Sequence, residues 1–200
     1  KLRSLVLIIA SFAALSCGGG QNQPGSNAKP PDSGKKTKIG FAMATVREER
    51  WQRDRDAFKA HCDKIGVECV ITVADNSSER QANDVDNLLT QGVDVLVIAP
   101  NDATQAASMV AKAKAQNVPV ISYDRLINSD KIDLYISHQV PVIGRKIAEY
   151  ALEKVPEGNY VMVYGSPTDN NALIMEKEQL AILKPAIDAK KITRRFASTP

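Results

Sequence analysis

The chain has 200 residues, of which 44% are hydrophobic, 24% are charged and 5% are aromatic. That length suits one large domain or about two small ones, and the composition is globular, which excludes a disordered or collagen-like chain. The formal net charge is +3 without a block of like charges, so no nucleic-acid-binding surface is indicated. Three cysteines are too few for a disulfide-stapled miniprotein.

The N-terminal residues have the pattern of an export signal. Lys1 and Arg3 precede an apolar run over residues 5–15, which is too short to span a bilayer core that needs about 20 residues. The run ends shortly before Cys17, which three glycines follow. A basic start, a short apolar run and small residues together are typical of a secretory signal.

The arrangement around Cys17 resembles a bacterial lipoprotein signal, although that family prefers Leu at the position of Ala14. The resemblance implies a signal peptide over residues 1–17 with a lipidated Cys17. It also implies that the protein is exported and is lipid-anchored to a membrane, in the periplasm or at the cell surface. A cleaved signal with an incidental cysteine is the alternative interpretation.

Residues 18–38 predict a flexible tether. The segment is rich in glycine and proline and contains no large apolar side chain, so it cannot form a hydrophobic core. Its expected role is to hold a soluble domain away from the membrane surface.

From residue 38 onward, short apolar runs alternate with helical patterns. Strands are predicted where apolar residues run together, and helices where they recur every three or four residues. Gly66 predicts a helix end, and Ser78 with Gln81 forms a possible capping box. The predicted strands cover residues 38–44, 68–74, 93–99, 118–123, 134–137 and 160–164, and a further element begins at Ile192. The predicted helices cover residues 50–65, 78–91, 103–116, 142–154 and 172–189.

This alternation predicts an α/β fold in which helices cover both faces of a parallel sheet. The run over residues 93–99 is nearly all apolar, as expected for a parallel strand that is buried on both faces. Near residues 137–141 the pattern changes, and we expect the chain to cross there into a second α/β domain. The domains expected after the tether are a first lobe over residues 39–138 and a partial second lobe over residues 139–200.

Polar side chains follow most of the predicted strands. In open parallel sheets, ligands bind beyond the carboxyl ends of the strands. Carboxylate, guanidinium and amide groups at that edge suit an uncharged, polyhydroxylated ligand, because each can bond two neighbouring hydroxyls. The residues at these strand ends are Thr45, Arg47, Glu48, Glu49 and Arg50, then Asp75, Asn76 and Ser77, then Pro100, Asn101 and Asp102, then Asp124 and Arg125, and finally Ser166, Asp169, Asn170 and Asn171.

Helix capping is the alternative for each of these residues taken singly, because Asp or Asn before a helix is usually a cap. Asp124 and Arg125 are stronger candidates for a binding role. Both directly follow a predicted buried strand, and they face the same sheet edge as Arg50.

Several motifs resemble those of bacterial D-xylose-binding proteins of ABC transporters. The resemblance runs from about Lys38 to Ile192. Its motifs are TVREERWQRDRD (45–56), QGVDVLVIAPN (91–101), SYDRLINSDKIDLYIS (122–137), PEGNYVM (156–162) and GSPTDNNA (165–172). The resemblance implies a type I periplasmic-binding-protein fold, with doubly wound parallel sheets in two lobes that close on a sugar, and no catalysis. The second lobe is expected to be incomplete here.

The resemblance also implies which residues bind the pentose. They are Arg50, Asp124 and Arg125 on the first lobe and Asp169 and Asn171 on the second, with Trp51, Asn101 and Asn170 as further candidates. An indole can stack on a sugar or pack in a core, and both roles remain open for Trp51.

The chain departs from the family in two places. Where the family usually has Phe-Asp-Asn, this chain has His138-Gln139-Val140, so the hinge or cleft edge is expected to differ. We interpret His138 as a local substitution, since no partner His or Cys is spaced to form a metal site with it; no metal or cofactor is expected. Residues 193–200 match nothing in the family, which favours a frameshift or a truncated gene model with weak or absent sugar binding.

The leading hypothesis is a monomeric substrate-binding lipoprotein that captures D-xylose or a related aldose between its lobes and delivers it to an ABC permease. The alternatives are a sensor that presents sugar to a membrane sensor kinase, or a non-functional truncated fragment. An enzyme is disfavoured, because no GxGxxG motif follows the first strand, no Walker loop occurs and no nucleophile–base spacing is recognisable.

Cys62 and Cys69 lie on a predicted helix and on the strand that follows it. A disulfide between them is possible in an exported protein. Two buried thiols are the simpler interpretation.

Overall fold

Strands and helices alternate along the chain, as the sequence predicts. The structure is a computed structural model that describes residues 34–196. The predicted signal peptide, Cys17 and most of the predicted tether lie outside the described residues. The strands are β1 (Lys38–Met43), β2 (Glu68–Val73), β3 (Val95–Ala99), β4 (Val120–Tyr123), β5 (Leu134–Ile136), β6 (Gly158–Met162) and β7 (Ile192–Phe196). The helices are α1 (Glu49–Ile65), α2 (Ser78–Thr90), α3 (Ala106–Ala115), α4 (Val140–Lys154) and α5 (Asn170–Asp188).

Five strands form one parallel sheet in the order β2-β1-β3-β4-β5. The strand order reverses beside β1, whose neighbours are β2 on one side and β3 on the other. In doubly wound sheets, a crevice opens at this reversal beyond the carboxyl ends of the strands. The topology therefore places the ends of β1, β3 and β4 around one edge.

The sheet is buried on both faces, which explains its continuous apolar runs. Phe41 and Met43 of β1 pack on one face with Trp51 of α1. The intervening Ala42 packs on the other face, among residues of α2 and α3 that include Val85. Because side chains alternate across a strand, both the odd and the even positions of β1 have to be apolar.

Two predicted strands begin two residues too early, at Val93 and Val118. Both residues belong to the turn that closes the preceding helix. The Val93 N–H donates to the Leu88 carbonyl at 3.4 Å and the Val118 N–H donates to that of Ala113 at 2.9 Å. Apolar character alone cannot separate such a turn residue from the strand that follows it.

A second, two-stranded parallel sheet consists of β6 and β7. With α4 and α5 it encloses a separate core around Met162, Leu183 and Ile192. The observed β6 starts two residues before the predicted strand, because Gly158 is already paired with Ile192 of β7. The domain boundary predicted after residue 138 falls in the connection between β5 and α4.

The predicted capping box at Ser78 and Gln81 is wrong. Ser77 is the N-cap of α2, and its side chain accepts a hydrogen bond from the Arg80 N–H. Gln81 is fully buried, and its amide donates to the carbonyls of Ala42 and Ala99 at 3.3 and 2.8 Å. Gln81 therefore ties α2 to the ends of β1 and β3 instead of closing a helix end.

Cys62 and Cys69 form a disulfide that joins the last turn of α1 to β2. The interpretation as two buried thiols is therefore wrong. Their Cα atoms are 6.1 Å apart, a separation that a disulfide can bridge without backbone movement. Sequence spacing could not decide this, because the distance depends on the turn at Gly66.

Within residues 34–196, no helix combines the length and the apolar character that crossing a bilayer requires.

We predict that Gly144→Ala destabilises the protein, although alanine ordinarily favours helices. Helices α4 and α5 approach closely at Gly144, where an added Cβ would lie 2.9 Å from the Met175 carbonyl oxygen and 3.0 Å from Glu178 Cβ. Displacing this backbone should lower the free energy of unfolding by about 1–3 kcal/mol, measured by urea denaturation. Lys146→Ala, at an exposed position of the same helix, is the control and should change it by less than about 0.5 kcal/mol. A Gly144→Ala variant that is more stable than the natural protein would contradict the close approach of α4 and α5 at this position.

We also predict that losing the Cys62–Cys69 disulfide destabilises the protein. The cross-link spans a sequence separation of 7, and a loop of this size contributes about 2–3 kcal/mol by restricting the unfolded chain. The double variant Cys62→Ala/Cys69→Ala should unfold at a correspondingly lower urea concentration. Reductant should lower the midpoint of the natural protein and leave that of the double variant unchanged; equal sensitivity to reductant would show that the bond is absent.

Candidate functional site

A cavity of about 380 Å³ opens beside the carboxyl ends of β1 and β4 and the N-terminus of α5. Its wall combines charged groups with apolar side chains. The lining residues are Glu48, Arg50, Trp51, Asp124, Arg125, His138, Val140, Ile143, Asp169, Asn171 and Met175. Five of these residues are the principal ligand contacts that the resemblance to D-xylose-binding proteins implies, namely Arg50, Asp124, Arg125, Asp169 and Asn171.

Arg50 and Asp124 form an ion pair in the cavity wall. Arg50 lies in the first turn of α1 and Asp124 directly follows β4, so the pair joins two neighbouring parts of one sheet edge. Arg50 also lies 3.4 Å from the Asp54 carboxylate, one turn along the helix. Burial by itself lowers the pKa of Arg50, but the hydrogen bond and charge of Asp124 and the charge of Asp54 outweigh it and raise the pKa. The guanidinium is therefore a permanent donor.

The backbone of Asp124 is left-handed, with φ of 61°. Its N–H donates to the Ile136 carbonyl at 2.7 Å. Its carbonyl accepts from Tyr135 Oη at 3.1 Å, Ser137 Oγ at 2.6 Å and Asn171 Nδ2 at 3.0 Å. Asp tolerates this conformation better than most residues, and these four bonds hold it in place.

A second ion pair joins Arg125 to Asp169, with Nε and Oδ2 3.1 Å apart. Arg125 also donates to the Pro100 carbonyl at 3.3 Å. Asp169 is the N-cap of α5, where its other carboxylate oxygen accepts from the Asn171 N–H at 2.9 Å. One carboxylate thus caps a helix and orients a guanidinium, so capping and a binding role do not exclude each other here.

Trp51 supports both guanidinium groups. The residue is only 5% exposed and belongs to the core on the α1 side of the sheet. The Arg50 guanidinium carbon lies 4.5 Å from the ring centroid, and that of Arg125 lies 5.4 Å from it. Cation–π attraction of this kind restrains both arginines. The indole is therefore packed in the core while its ring also contributes to the cavity wall.

Sequence reasoning missed the apolar part of the wall. Val140 and Ile143 lie on α4 and Met175 lies on α5. Each has the apolar character of a helix core position, so no sequence signal separates these residues from ordinary packing residues. Glu48 follows β1 among the polar candidates, and His138 lies in the departure from the family motif; both line the cavity.

Asn101 and Asn170 do not line the cavity. The Asn101 side-chain amide donates to Ser78 Oγ at 2.9 Å and to the Asn76 carbonyl at 3.2 Å. The Asn170 amide donates to the Leu126 carbonyl at 2.9 Å and to Asn128 Oδ1 at 2.6 Å. Both residues tie loops together around the site.

Other strand-end residues from the sequence serve as caps or surface ion pairs. Asp102 accepts from the N–H groups of Thr104 and Gln105 at 2.8 Å each, and these backbone bonds lower its pKa. Asp75 pairs with Arg80 at 2.6 Å. Asp102 therefore caps the turn that leads into α3, as the capping alternative expects, whereas Asp75 forms a surface ion pair.

The cavity presents two guanidinium–carboxylate pairs and one amide. Each group still has donor or acceptor capacity beyond its partner, because a guanidinium carries five N–H donors and a carboxylate accepts about four bonds. Neutral hydroxyl groups can bond to both members of such a pair without breaking it. Among the residues that the structure describes, no group of three or more His, Cys, Asp or Glu side chains could hold a metal ion.

Comparison with known proteins identifies relatives that cover most of the chain. Residues 39–195 match the family model described as a periplasmic binding protein domain. The chain is 39% identical over 158 residues to the D-xylose-binding periplasmic protein of Escherichia coli strain K12, an alignment that covers 79% of this chain and 48% of that protein. The chain thus spans about half the length of the curated relatives that it matches.

Solved structures with the same fold include sugar-binding proteins. An ABC transporter solute-binding protein from Clostridium phytofermentans with bound β-D-glucose is 30% identical, with a TM-score of 0.74 over 78% of this chain and 51% of that one. The fructose-binding periplasmic domain of the hybrid two-component system BT1754 is 27% identical, with a TM-score of 0.72 over 80% of this chain and 52% of that one.

We predict that Tyr123→Phe changes how stability depends on alkaline pH. Burial raises the pKa of Tyr123, and its hydrogen bond to Asp54, 3.1 Å long, raises it further. A folded-state pKa above the unfolded value of 10.0 stabilises the fold below pH 10, and this contribution is lost as pH rises through the folded pKa. The free energy of unfolding should therefore decline less above pH 10 in Tyr123→Phe than in the natural protein. Identical alkaline slopes in urea titrations would contradict the assignment.

Proposed function

Because this chain belongs to the periplasmic binding protein family and has the type I fold predicted from its sequence, we propose that it binds a monosaccharide in the cavity beside Arg50 and Asp124. The ligand is D-xylose or a related aldose. This proposal replaces the weak or absent binding expected from residues 193–200, because all five polar contacts line one cavity within the described residues. The protein is a binding protein and not an enzyme.

The observation that carries the proposal is the convergence of five polar side chains on one cavity. Arg50, Asp124, Arg125, Asp169 and Asn171 come from segments up to 121 positions apart, as the residue numbers 50 and 171 show, and all line it. Their donors and acceptors are matched in pairs, which favours a neutral ligand rich in hydroxyl groups. The similarity of the chain to the D-xylose-binding periplasmic protein of Escherichia coli supports D-xylose as that ligand.

Closure around the sugar follows from where these side chains are attached. Asp124 and Arg125 follow the five-stranded sheet, whereas Asp169 and Asn171 begin the helix that packs against the second sheet. A ligand that bonds to both groups stabilises the arrangement in which they are close together. We propose that this closed form is the one that a membrane permease recognises.

The disulfide supports export of the protein. Disulfides persist in oxidising compartments such as the periplasm and are rare in the cytosol, and Cys62–Cys69 is buried at Cys62 within the first lobe. Export agrees with the signal proposed over residues 1–17. We also propose that a lipid on Cys17 anchors the protein to the membrane.

Sensing is the second candidate function. It is favoured by the similarity of this chain to the fructose-binding periplasmic domain of a hybrid two-component system. In that case, the same cavity would bind sugar, and the closed form would contact a membrane sensor kinase instead of a permease. Gene neighbourhood distinguishes these partners, because permease and ATPase genes beside this gene favour transport, whereas a kinase gene there favours sensing.

Binding can be measured through the fluorescence of Trp51. The chain has one tryptophan, and it lines the cavity, so its emission should change when the purified protein is titrated with D-xylose. We predict that Asp124→Ala weakens binding about five- to a hundredfold, because ligand hydroxyls and Arg50 lose a buried partner.

Asp75→Ala is the matched control. Asp75 also follows a strand of the same sheet, has a positive φ of 50° and pairs with an arginine, but it lies outside the cavity. Its loss should leave the affinity unchanged within about twofold, while imposing a similar backbone cost. No fluorescence response to any aldose, or equal affinities of Asp124→Ala and the natural protein, would overturn the proposed site.

A further inference from the structure

Successive residues at the start of α5 face different parts of the first lobe. Asp169 and Asn171 line the cavity, whereas Asn170 does not. The Asn170 side-chain amide donates instead to the Leu126 carbonyl at 2.9 Å and to Asn128 Oδ1 at 2.6 Å. Both acceptors follow β4 in the first lobe, whereas Asn170 is the first residue of α5 in the second lobe. These two hydrogen bonds therefore join the lobes outside the cavity.

Thr168 adds two further hydrogen bonds between the lobes. Its carbonyl accepts from the Ala103 N–H at 3.0 Å, and its hydroxyl donates to the Asn101 carbonyl at 3.4 Å. Asn101 and Ala103 follow β3, so the second lobe bonds to two loops of the first lobe. The interlobe latch is the set of these contacts, which join Thr168 and Asn170 to Asn101, Ala103, Leu126 and Asn128.

Hydrogen bonds within the first lobe hold the two loops of the latch together. The Asn128 N–H donates to the Ala103 carbonyl at 2.9 Å, and the Asn128 side-chain amide donates to Thr104 Oγ1 at 3.1 Å. The Asn101 N–H donates to Oε1 of the buried Gln81 at 2.9 Å. These three bonds do not depend on the distance between the lobes. The first-lobe side of the latch is thus pre-organised to receive the second lobe.

The second-lobe side of the latch is also held by local hydrogen bonds. The Asp169 N–H donates to the Ser166 carbonyl at 3.1 Å, and the hydroxyls of Ser166 and Thr168 lie 2.8 Å apart. Asp169 is the N-cap of α5, which fixes the orientation of this segment on the helix. The cavity residues Asp169 and Asn171 are therefore rigidly connected to the latch residues beside them.

Latch bonds can change the affinity for a sugar without contacting it. Separating the lobes breaks these bonds, so they stabilise only the closed arrangement, in which Asn171 Nδ2 donates to the Asp124 carbonyl. A sugar that bonds to both lobes needs this arrangement, and its apparent affinity falls in proportion to the fraction of the protein that adopts it. Hydrogen bonds that form on closure therefore offset part of the cost of bringing the lobes together.

We infer that Asn170 and Thr168 are positioning residues that raise the affinity for sugar from outside the cavity, because the interlobe latch stabilises the closed arrangement. The inference rests on the proposed sugar-binding function. It reassigns Asn170 from a further ligand contact, as the resemblance implies, to a contact between the lobes. The latch acts equally on every sugar, since it touches none of them.

The first test is Asn170→Ala, which removes both hydrogen bonds of the side chain. Titration of the fluorescence of Trp51 should show about three- to thirtyfold weaker binding of D-xylose. The factor should agree within about threefold for D-ribose and D-glucose, wherever the natural protein binds them. Stopped-flow measurements should place the loss in the dissociation rate, because the latch forms only after the lobes close.

Asn128→Ala removes part of the latch from the first lobe, at a residue that does not line the cavity. Alone, it should weaken D-xylose binding by about threefold or more. In the Asn170→Ala background it should change the affinity by less than about 1.5-fold, because the shared hydrogen bond is already absent. A residue that contacted only the sugar would not depend on Asn128 in this way.

Ser77→Ala is the matched control. Ser77 also lies at the start of a helix beside the same sheet edge, where its side chain accepts from the Arg80 N–H at 3.1 Å, but it belongs neither to the latch nor to the cavity lining. Its loss should lower the free energy of unfolding and leave the affinity for D-xylose unchanged within about twofold. This variant separates an effect on the latch from a general loss of stability.

The outcomes separate the inference from the function on which it rests. If Asn170→Ala binds D-xylose within about twofold of the natural protein, or if the effects of Asn170→Ala and Asn128→Ala multiply, the inference is overturned and sugar binding stands. A loss in Asn170→Ala that differs by more than about threefold between sugars would show that Asn170 contacts the ligand, which also overturns the inference. If no aldose changes the emission of Trp51, the proposed function fails and the inference fails with it.

Discussion

The hydrogen bonds around Asp124 are the constraint on which the site depends. Its left-handed backbone turns the chain at the end of β4, so that the carboxylate meets Arg50 while the carbonyl accepts from Tyr135, Ser137 and Asn171. Tyr135 lies on β5 of the first sheet, Ser137 directly follows that strand, and Asn171 belongs to α5. One residue therefore positions the charge in the cavity and also joins the two parts of the chain that surround it.

The remaining polar groups are arranged around this residue by pairing. Trp51 lies against both guanidinium groups, and each guanidinium is held by one carboxylate. A guanidinium and a carboxylate that are paired with each other still have spare donors and acceptors, so they can bond to neutral hydroxyl groups while the ion pair stays intact. The apolar side chains of Val140, Ile143 and Met175 complete the lining of the cavity beside these polar groups.

The fold was largely predictable because the apolar runs are long and the turn residues are distinctive. The alternation of strands and helices required a parallel sheet, and the polar residues after β1 and β4 had to share its carboxyl edge. The errors in the predicted strand starts and in the predicted capping box have local causes. Val93 and Val118 are turn residues with the β-branched side chains typical of strands. Gln81 is of a residue type that occurs in capping boxes, but it is buried and bonds to the carbonyls at the ends of β1 and β3. The Cys62–Cys69 bond depended on a turn geometry that the spacing does not encode.

The sequence by itself determined the α/β class, the edge at which polar residues gather and the prominence of Arg50, Asp124, Arg125, Asp169 and Asn171. The first two properties follow from local periodicity and from the direction of parallel strands, whereas the choice of these five residues as a set follows from the resemblance to D-xylose-binding proteins. Tertiary structure decided which candidates share one cavity, since Asn101 and Asn170 bond to neighbouring loops instead. It also decided that Val140, Ile143 and Met175 form part of the cavity wall. The sequence does not distinguish an apolar helix residue that faces a core from one that faces a cavity, because the difference depends on the neighbouring elements.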